Sequence, residues 1–142
     1  MKYLLDTDHV SVLQQQSGPG YAALSTRIAQ HPPADLALSV VSFHEQVLGC
    51  HTYILRARTS AELVRGYGML ARLLGDYAMV AVLSFDAAAA AMLDALLAQR
   101  VRIGTMDLRI ASIALSRGLT LVTRNIRDFQ QVPSLLIQDW TV

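Results

Sequence analysis

Residues 1–8, Met1-Lys2-Tyr3-Leu4-Leu5-Asp6-Thr7-Asp8, run a short apolar segment straight into two aspartates. Lys2 to Leu5 reads as a strand ending on Asp6, and Asp8 as the N-cap of a short helix over His9 to Gln16. Gly18, Pro19 and Gly20 break the chain, and a second helix covers Tyr21 to Gln30 before His31, Pro32 and Pro33 end it. The same alternation then repeats. Leu36 to Val41 is a second strand, and helices from Ser42 to about Arg58 and from Ser60 to about Tyr77 form a helical hairpin. Met79 to Leu83 is a third strand, followed by a helix from Phe85 to Gln99 that Ser84 caps. A helix from about Met106 to Arg117 stops at Gly118. Leu119 to Thr123 is the fourth strand, and Leu135 to Gln138 forms a short fifth. Near-continuous apolar strands alternating with helices imply an α/β fold, a parallel sheet of four or five strands covered by helices.

The chain has 142 residues, of which 53% are hydrophobic and 16% charged. That is enough for one domain with a real core, and it excludes a disordered tail or a coiled coil. Cys50 is the only cysteine, so neither an internal disulfide nor a cysteine-cluster zinc site is available. Acids at positions 6 and 8 fall too early for a signal-peptide apolar region. The longest apolar stretch, Ala78 to Ala98, contains Asp86 and Asp94 and reads as strand plus helix, not as a membrane span. A soluble, cytoplasmic protein is expected. The net charge of +1 does not mark a strongly basic nucleic-acid binder. All the basic residues except Lys2 are arginines, whose planar fork suits phosphate, although a GC-rich genome gives the same bias.

In a parallel sheet the ligand site lies at the carboxyl ends of the strands, so the polar residues there matter most. Asp6 ends the first strand, and Glu45 lies a helical turn past the second. Asp107 opens the helix before the fourth strand, with Asn125 and Asp128 beyond that strand's end. Carboxylates gathered in one place repel unless a cation or a shared proton compensates them. An all-oxygen set favours Mg²⁺ or Mn²⁺, and such an ion suits phosphodiester hydrolysis. Each acid also has a structural reading. Ser42-x-x-Glu45 forms a capping box, Asp8 is an N-cap, Asp107 complements a helix N-terminus, and Asp128 caps a turn before Phe129.

Four ordered blocks carry a family resemblance across essentially the whole chain. They are Leu4-Leu5-Asp6-Thr7-Asp8, then Val41-Ser42-Phe43-His44-Glu45 with Gly49, then Arg102-Ile103-Gly104-Thr105-Met106-Asp107. The last is Leu121-Val122-Thr123-Arg124-Asn125 with Asp128-Phe129. The chain resembles the PIN-domain toxins of the VapC type, the ribonuclease halves of bacterial toxin–antitoxin pairs. The resemblance implies a metal-dependent endoribonuclease whose Asp6, Glu45 and Asp107 bind the divalent ion, Mg²⁺ or Mn²⁺. Family members often carry a fourth acid where Asn125 stands, and this departure leaves the fourth ligand open between Asn125 and Asp128. Thr123 and Asp8 would support the cluster, and Arg102, Arg109, Arg124 and Arg127 are candidates for gripping the RNA backbone. A homodimer and an antitoxin segment held in a groove of the helical hairpin are also implied.

Other readings compete. A catalytically impaired PIN-like module that binds RNA or protein without cutting is kept open by Asn125, although retention of Asp6, Glu45 and Asp107 argues against it. Asp6-x-Asp8 also resembles the haloacid-dehalogenase nucleophile motif, but those phosphatases need a later lysine, and Lys2 is the only one. No helix-turn-helix or basic arm marks a DNA reader. His9, His44 and His51 read as surface or partly buried histidines. Tyr53, Tyr67, Tyr77, Met69 and Met79 read as core or interface, and Trp140 as a tail anchor.

Overall fold

The computed structural model describes all 142 residues. In chain order the elements are β1 (Tyr3–Leu5), α1 (Thr7–Gln15), α2 (Pro19–Ala29), β2 (Leu36–Ser39), α3 (Val40–Arg56) and α4 (Ser60–Ala78). There follow β3 (Ala81–Leu83), α5 (Ala87–Ala98), α6 (Thr105–Ser116), β4 (Thr120–Val122), α7 (Ile126–Phe129) and β5 (Ile137–Gln138). The strands form one five-stranded sheet in the order β3-β2-β1-β4-β5. Every neighbouring pair is parallel, with Leu4 beside Ala37 on one side and Leu121 on the other. This is the expected architecture at the upper end of the expected strand count.

The central strands β1, β2 and β4 are buried on both faces because they are mostly apolar and successive side chains point opposite ways. Leu4, Ala37 and Leu121 enter one core with Ile110, Ile113 and Phe129, and their neighbours Leu5, Leu38 and Val122 enter a second with Leu24, Leu73 and Trp140. The first core is covered by α5 and α6, and the second by α1, α2 and α4. Trp140 is fully buried. It stacks on His31 at 4.9 Å and meets the edge of Tyr3 at 4.8 Å, with Arg27 5.4 Å over its ring. It anchors the C-terminal segment as expected.

The element boundaries differ from the sequence reading at the helix starts. Asp6, not Asp8, is the N-cap of α1: its backbone is extended, at φ −72° and ψ 162°, and its side chain accepts from Thr7 N. Ser39, not Ser42, caps α3 by accepting from Ser42 N, and Asp86, not Ser84, caps α5. For α1 and α3 the cause is the same. The residue leaving a strand already has the extended backbone a cap requires, so strand and helix abut without a loop. The four-residue α7 was not foreseen, being too short to show a helical period.

The strand order reverses direction at β1, whose neighbours β2 and β4 are reached by connections on opposite sides. Such a switch point opens a crevice between the carboxyl ends of the two strands. Here that crevice lies between Asp6, after β1, and Thr123, after β4.

Candidate active site

Asp6 is almost fully buried, at 5% exposure, and both of its oxygens are engaged. One accepts the Thr7 amide at 2.8 Å, and the other accepts the Thr123 hydroxyl at 2.8 Å. Thr123 is fully buried, and its oxygen in turn accepts the Asn125 amide at 3.0 Å. It also stands 3.3 Å from Asp8 Oδ2, which takes the Arg124 amide at 3.0 Å. One threonine therefore ties together the ends of β1 and β4 and the start of α7.

A second threonine, Thr7, does the same for the other half of the cluster. Its hydroxyl donates to Glu45 Oε1 at 2.8 Å and lies 2.9 Å from Ser42 Oγ, joining α1 to α3. Glu45 is thus engaged across the fold and takes no part in the expected Ser42 capping box. Neither Thr7 nor Ser42 stood out as a site residue. Thr7 lies between two acids in the first block, which was the one available hint, whereas buried Ser42 had been absorbed into the presumed cap.

Asp107 sits in the first turn of α6 with its carboxylate folded back over Gly104, where a Cβ would stand 3.5 Å from Oδ2. The Asn125 amide nitrogen reaches Asp107 Oδ2 at 3.5 Å and Asp128 Oδ2 at 3.0 Å. The Asn125 side chain therefore acts as a donor between two acids, and its Oδ1 carries no bond from the protein.

The crowding shows in the proton affinities. Burial, then the Asp8 and Asp107 charges, push Asp6 up to about 7 against the donors Thr123 and Thr7. Burial, then Glu45, Asp128 and Asp8, push Asp107 up to about 6. Acids in one field raise each other's proton affinity, and a cation there would relieve the same repulsion. The donor set is entirely oxygen, which fits a hard divalent ion. As placed, however, no three histidine, cysteine, aspartate or glutamate side chains stand close enough to enclose a metal ion. The acids are linked through threonine hydroxyls and the Asn125 side chain.

The four candidate arginines surround this cluster in sequence without being drawn into it. Arg102, Arg124 and Arg127 are exposed, while Arg109 is half-buried with Nη1 3.7 Å from Met106 Sδ. None of the four forms an ion pair. The ion pairs of the molecule lie elsewhere, apart from His9 with Asp8. His44 and His51 are exposed as expected, but His9 is fully buried. Full burial of His9 corrects the expectation of a surface or partly buried side chain.

A parallel sheet with an acidic crevice at its switch point, and a helical hairpin inserted after the second strand, defines a PIN-type α/β fold. No family model matches the chain. Over 99% of both chains it is 28% identical to the tRNA(fMet)-specific endonuclease VapC of Shigella flexneri. The structure of VapBC-1 from nontypeable Haemophilus influenzae superposes with a TM-score of 0.73 and 28% identity over the full length of both chains. The DNA-bound VapBC of Salmonella typhimurium shares the fold at a TM-score of 0.73 and 24% identity, covering 99% of this chain and 98% of that one. Over its whole length the chain is thus similar to VapC-type PIN-domain toxins.

Proposed function

We propose that the chain is a metal-dependent endoribonuclease, the toxin of a toxin–antitoxin pair, which hydrolyses RNA phosphodiester bonds in the crevice between Asp6 and Asp107. The observation that carries this reading is the single hydrogen-bonded network running Glu45–Thr7–Asp6–Thr123–Asn125–Asp107 along the switch point. Its likeness to proteins named endonuclease and ribonuclease VapC points the same way.

In this mechanism Asp6, Asp107 and Glu45 supply the oxygen ligands for Mg²⁺ or Mn²⁺. The bound ion would make the attacking water more acidic and stabilise charge building on the phosphate. Thr123 holds the Asp6 carboxylate and Thr7 holds Glu45, so neither must be ordered when RNA arrives. Asn125 takes the place of a fourth acid, fixing Asp107 and Asp128 through its Nδ2 and leaving its Oδ1 to orient a water. Arg102, Arg109, Arg124 and Arg127, uncommitted to any carboxylate, grip the RNA backbone.

An antitoxin partner is supported by the VapBC structures that share this fold. A groove of about 1070 Å³ between α1, α2, α3 and α4 is lined by Val10, Leu13, Ile28, Cys50, Met69 and Leu73, and we assign the antitoxin segment to it. The exposed Leu55, Val64, Tyr67 and Leu74 of the hairpin suit a homodimer. No helix is long and apolar enough to cross a membrane.

The test is cleavage of RNA by the purified chain with Mg²⁺ or Mn²⁺, set beside Asp6→Ala and Asp107→Asn, together with growth on induced expression. Cleavage and arrest by the parent alone are expected. The spacing of the carboxylates and the presence of Asn125 give one rival some footing, a PIN-like module that binds without cutting. Metal-independent RNA binding without cleavage, unchanged in Asp107→Asn, would establish that rival.

A further inference from the structure

His9 has no part in the mechanism above, yet it is a fully buried polar side chain placed directly behind the cluster. Its Nδ1 lies 2.8 Å from Asp8 Oδ1, and its Nε2 receives the Trp140 backbone N–H at 3.1 Å. A ring nitrogen that accepts a backbone N–H carries no proton of its own, so the ring proton of neutral His9 sits on Nδ1 and is donated to Asp8. Asp139 does not compete for that nitrogen. Its Oδ1 is 3.6 Å from Nε2 and is already taken by the Thr141 amide at 2.8 Å and the Thr141 hydroxyl at 2.6 Å.

We propose that His9 is a positioning residue, its tautomer set by the amide of Trp140, which fixes Asp8 against the acidic cluster and so couples the C-terminal segment to the ion site. Asp8 then receives one donor on each oxygen, His9 Nδ1 on Oδ1 and the Arg124 amide on Oδ2. The Thr123 hydroxyl oxygen, whose proton goes to Asp6, lies 3.3 Å from Asp8 Oδ2. A carboxylate held by a donor on each oxygen is a fixed charge, not a mobile ligand. Fixed in this way, it contributes its field to Asp6 and Asp107 and leaves them to close on a cation. The Trp140 ring, buried among Tyr3, His31 and Arg27, keeps the amide in place.

This inference rests on the metal-dependent reading of the site, and two substitutions separate its halves. Asparagine places an amide nitrogen near the Nδ1 position, and glutamine places an amide oxygen near Nε2. His9→Asn therefore keeps the donor to Asp8 and abandons the Trp140 amide, whereas His9→Gln does the reverse. The probe is Mn²⁺ binding by electron paramagnetic resonance on the purified chain without RNA, with thermal unfolding alongside. We expect His9→Gln to bind Mn²⁺ at least about tenfold more weakly, the size of effect that groups behind metal ligands typically have. His9→Asn should recover most of that affinity while melting at a lower temperature. The imidazole ¹⁵N spectrum of the parent should show His9 protonated on Nδ1 alone. Equal Mn²⁺ affinity in parent and His9→Gln, or affinity that simply follows melting temperature in both variants, would overturn the assignment while leaving the nuclease reading intact. No Mn²⁺ binding by the parent would remove the metal reading, and this inference with it.

Discussion

Replacing Asp6 by asparagine should stabilise the metal-free protein at neutral and alkaline pH, although it removes a central group of the site. The buried carboxyl of Asp6 is raised from 3.8 to about 7, so between those values the folded protein holds a proton that the unfolded chain releases. Stability linked to this group is complete below about pH 4 and is lost as pH rises towards 7. At about 1.36 kcal/mol per pH unit, the ionised carboxylate costs the fold about 4 kcal/mol above pH 7. Asparagine escapes that cost and can be satisfied in place. Its Oδ1 accepts the Thr7 amide as Asp6 does at 2.8 Å, and its Nδ2 can donate to the Thr123 oxygen, which then turns its own proton to Asp8 at 3.3 Å. Urea unfolding in EDTA from pH 4 to pH 8 should show the two proteins equal at pH 4 and Asp6→Asn ahead by up to about 4 kcal/mol at pH 8. Adding Mg²⁺ at pH 8 should narrow the gap by stabilising only the parent. Parallel curves across this range, or a variant less stable at pH 8, would refute the claim that Asp6 carries an uncompensated buried charge.

Thr123→Val keeps the shape but leaves Asp6 Oδ2 without a donor and the Asn125 amide without an acceptor. It should cost about 1–3 kcal/mol in urea unfolding and lose most cleavage. In α4, a Cβ on Gly66 would come within 2.7 Å of Ile54 Cγ1 and 3.1 Å of Tyr53 Cδ1, whereas Gly68 has open space. Gly66→Ala should therefore destabilise through overpacking of about 1–3 kcal/mol, and Gly68→Ala should stabilise by roughly 0.5–1 kcal/mol; opposite shifts in melting temperature check the pair. Arg124→Ala and Arg127→Ala should weaken RNA binding without altering the fold. Each should lower the slope of log affinity against log salt by about 0.7, and an unchanged slope would remove that arginine from the RNA path.

The fold was legible because its signal is local: the strands are near-continuous apolar runs, the pattern of a sheet covered on both faces. The cap positions were less legible because sequence shows which residues can cap but not which has extended backbone. Asp6 and Asp8, like Ser39 and Ser42, are equally suited by type, and the strand ends decide between them. The acids that the structure gathers at the crevice could be picked out in the sequence. The organisation of the site could not, because the contacts that organise it span the chain, with Thr7 on Glu45, Thr123 on Asp6 and Trp140 on His9. Glu45 shows the consequence: its best local explanation was a capping box with Ser42, and only the partner across the fold withdraws it.

The arrangement of charge carries one step further. Eleven arginines are available in the molecule, yet the ion pairs formed involve none of Asp6, Glu45, Asp107 or Asp128. Neutral donors, two threonine hydroxyls and an asparagine amide, do the joining instead. A guanidinium placed among these acids would satisfy them and lower their proton affinity, and it would also occupy the space and cancel the field that a cation needs. Threonine supplies a hydrogen bond without supplying charge, so the acids stay ordered while their repulsion persists. The N-termini of α1 and α6, where Asp6 caps and Asp107 occupies the first turn, offset only part of it. On the proposed metal-dependent reading, a buried acid raised to about 7 in a fold rich in unspent arginine is what such a site requires: stability given up locally to keep a place for an external positive charge.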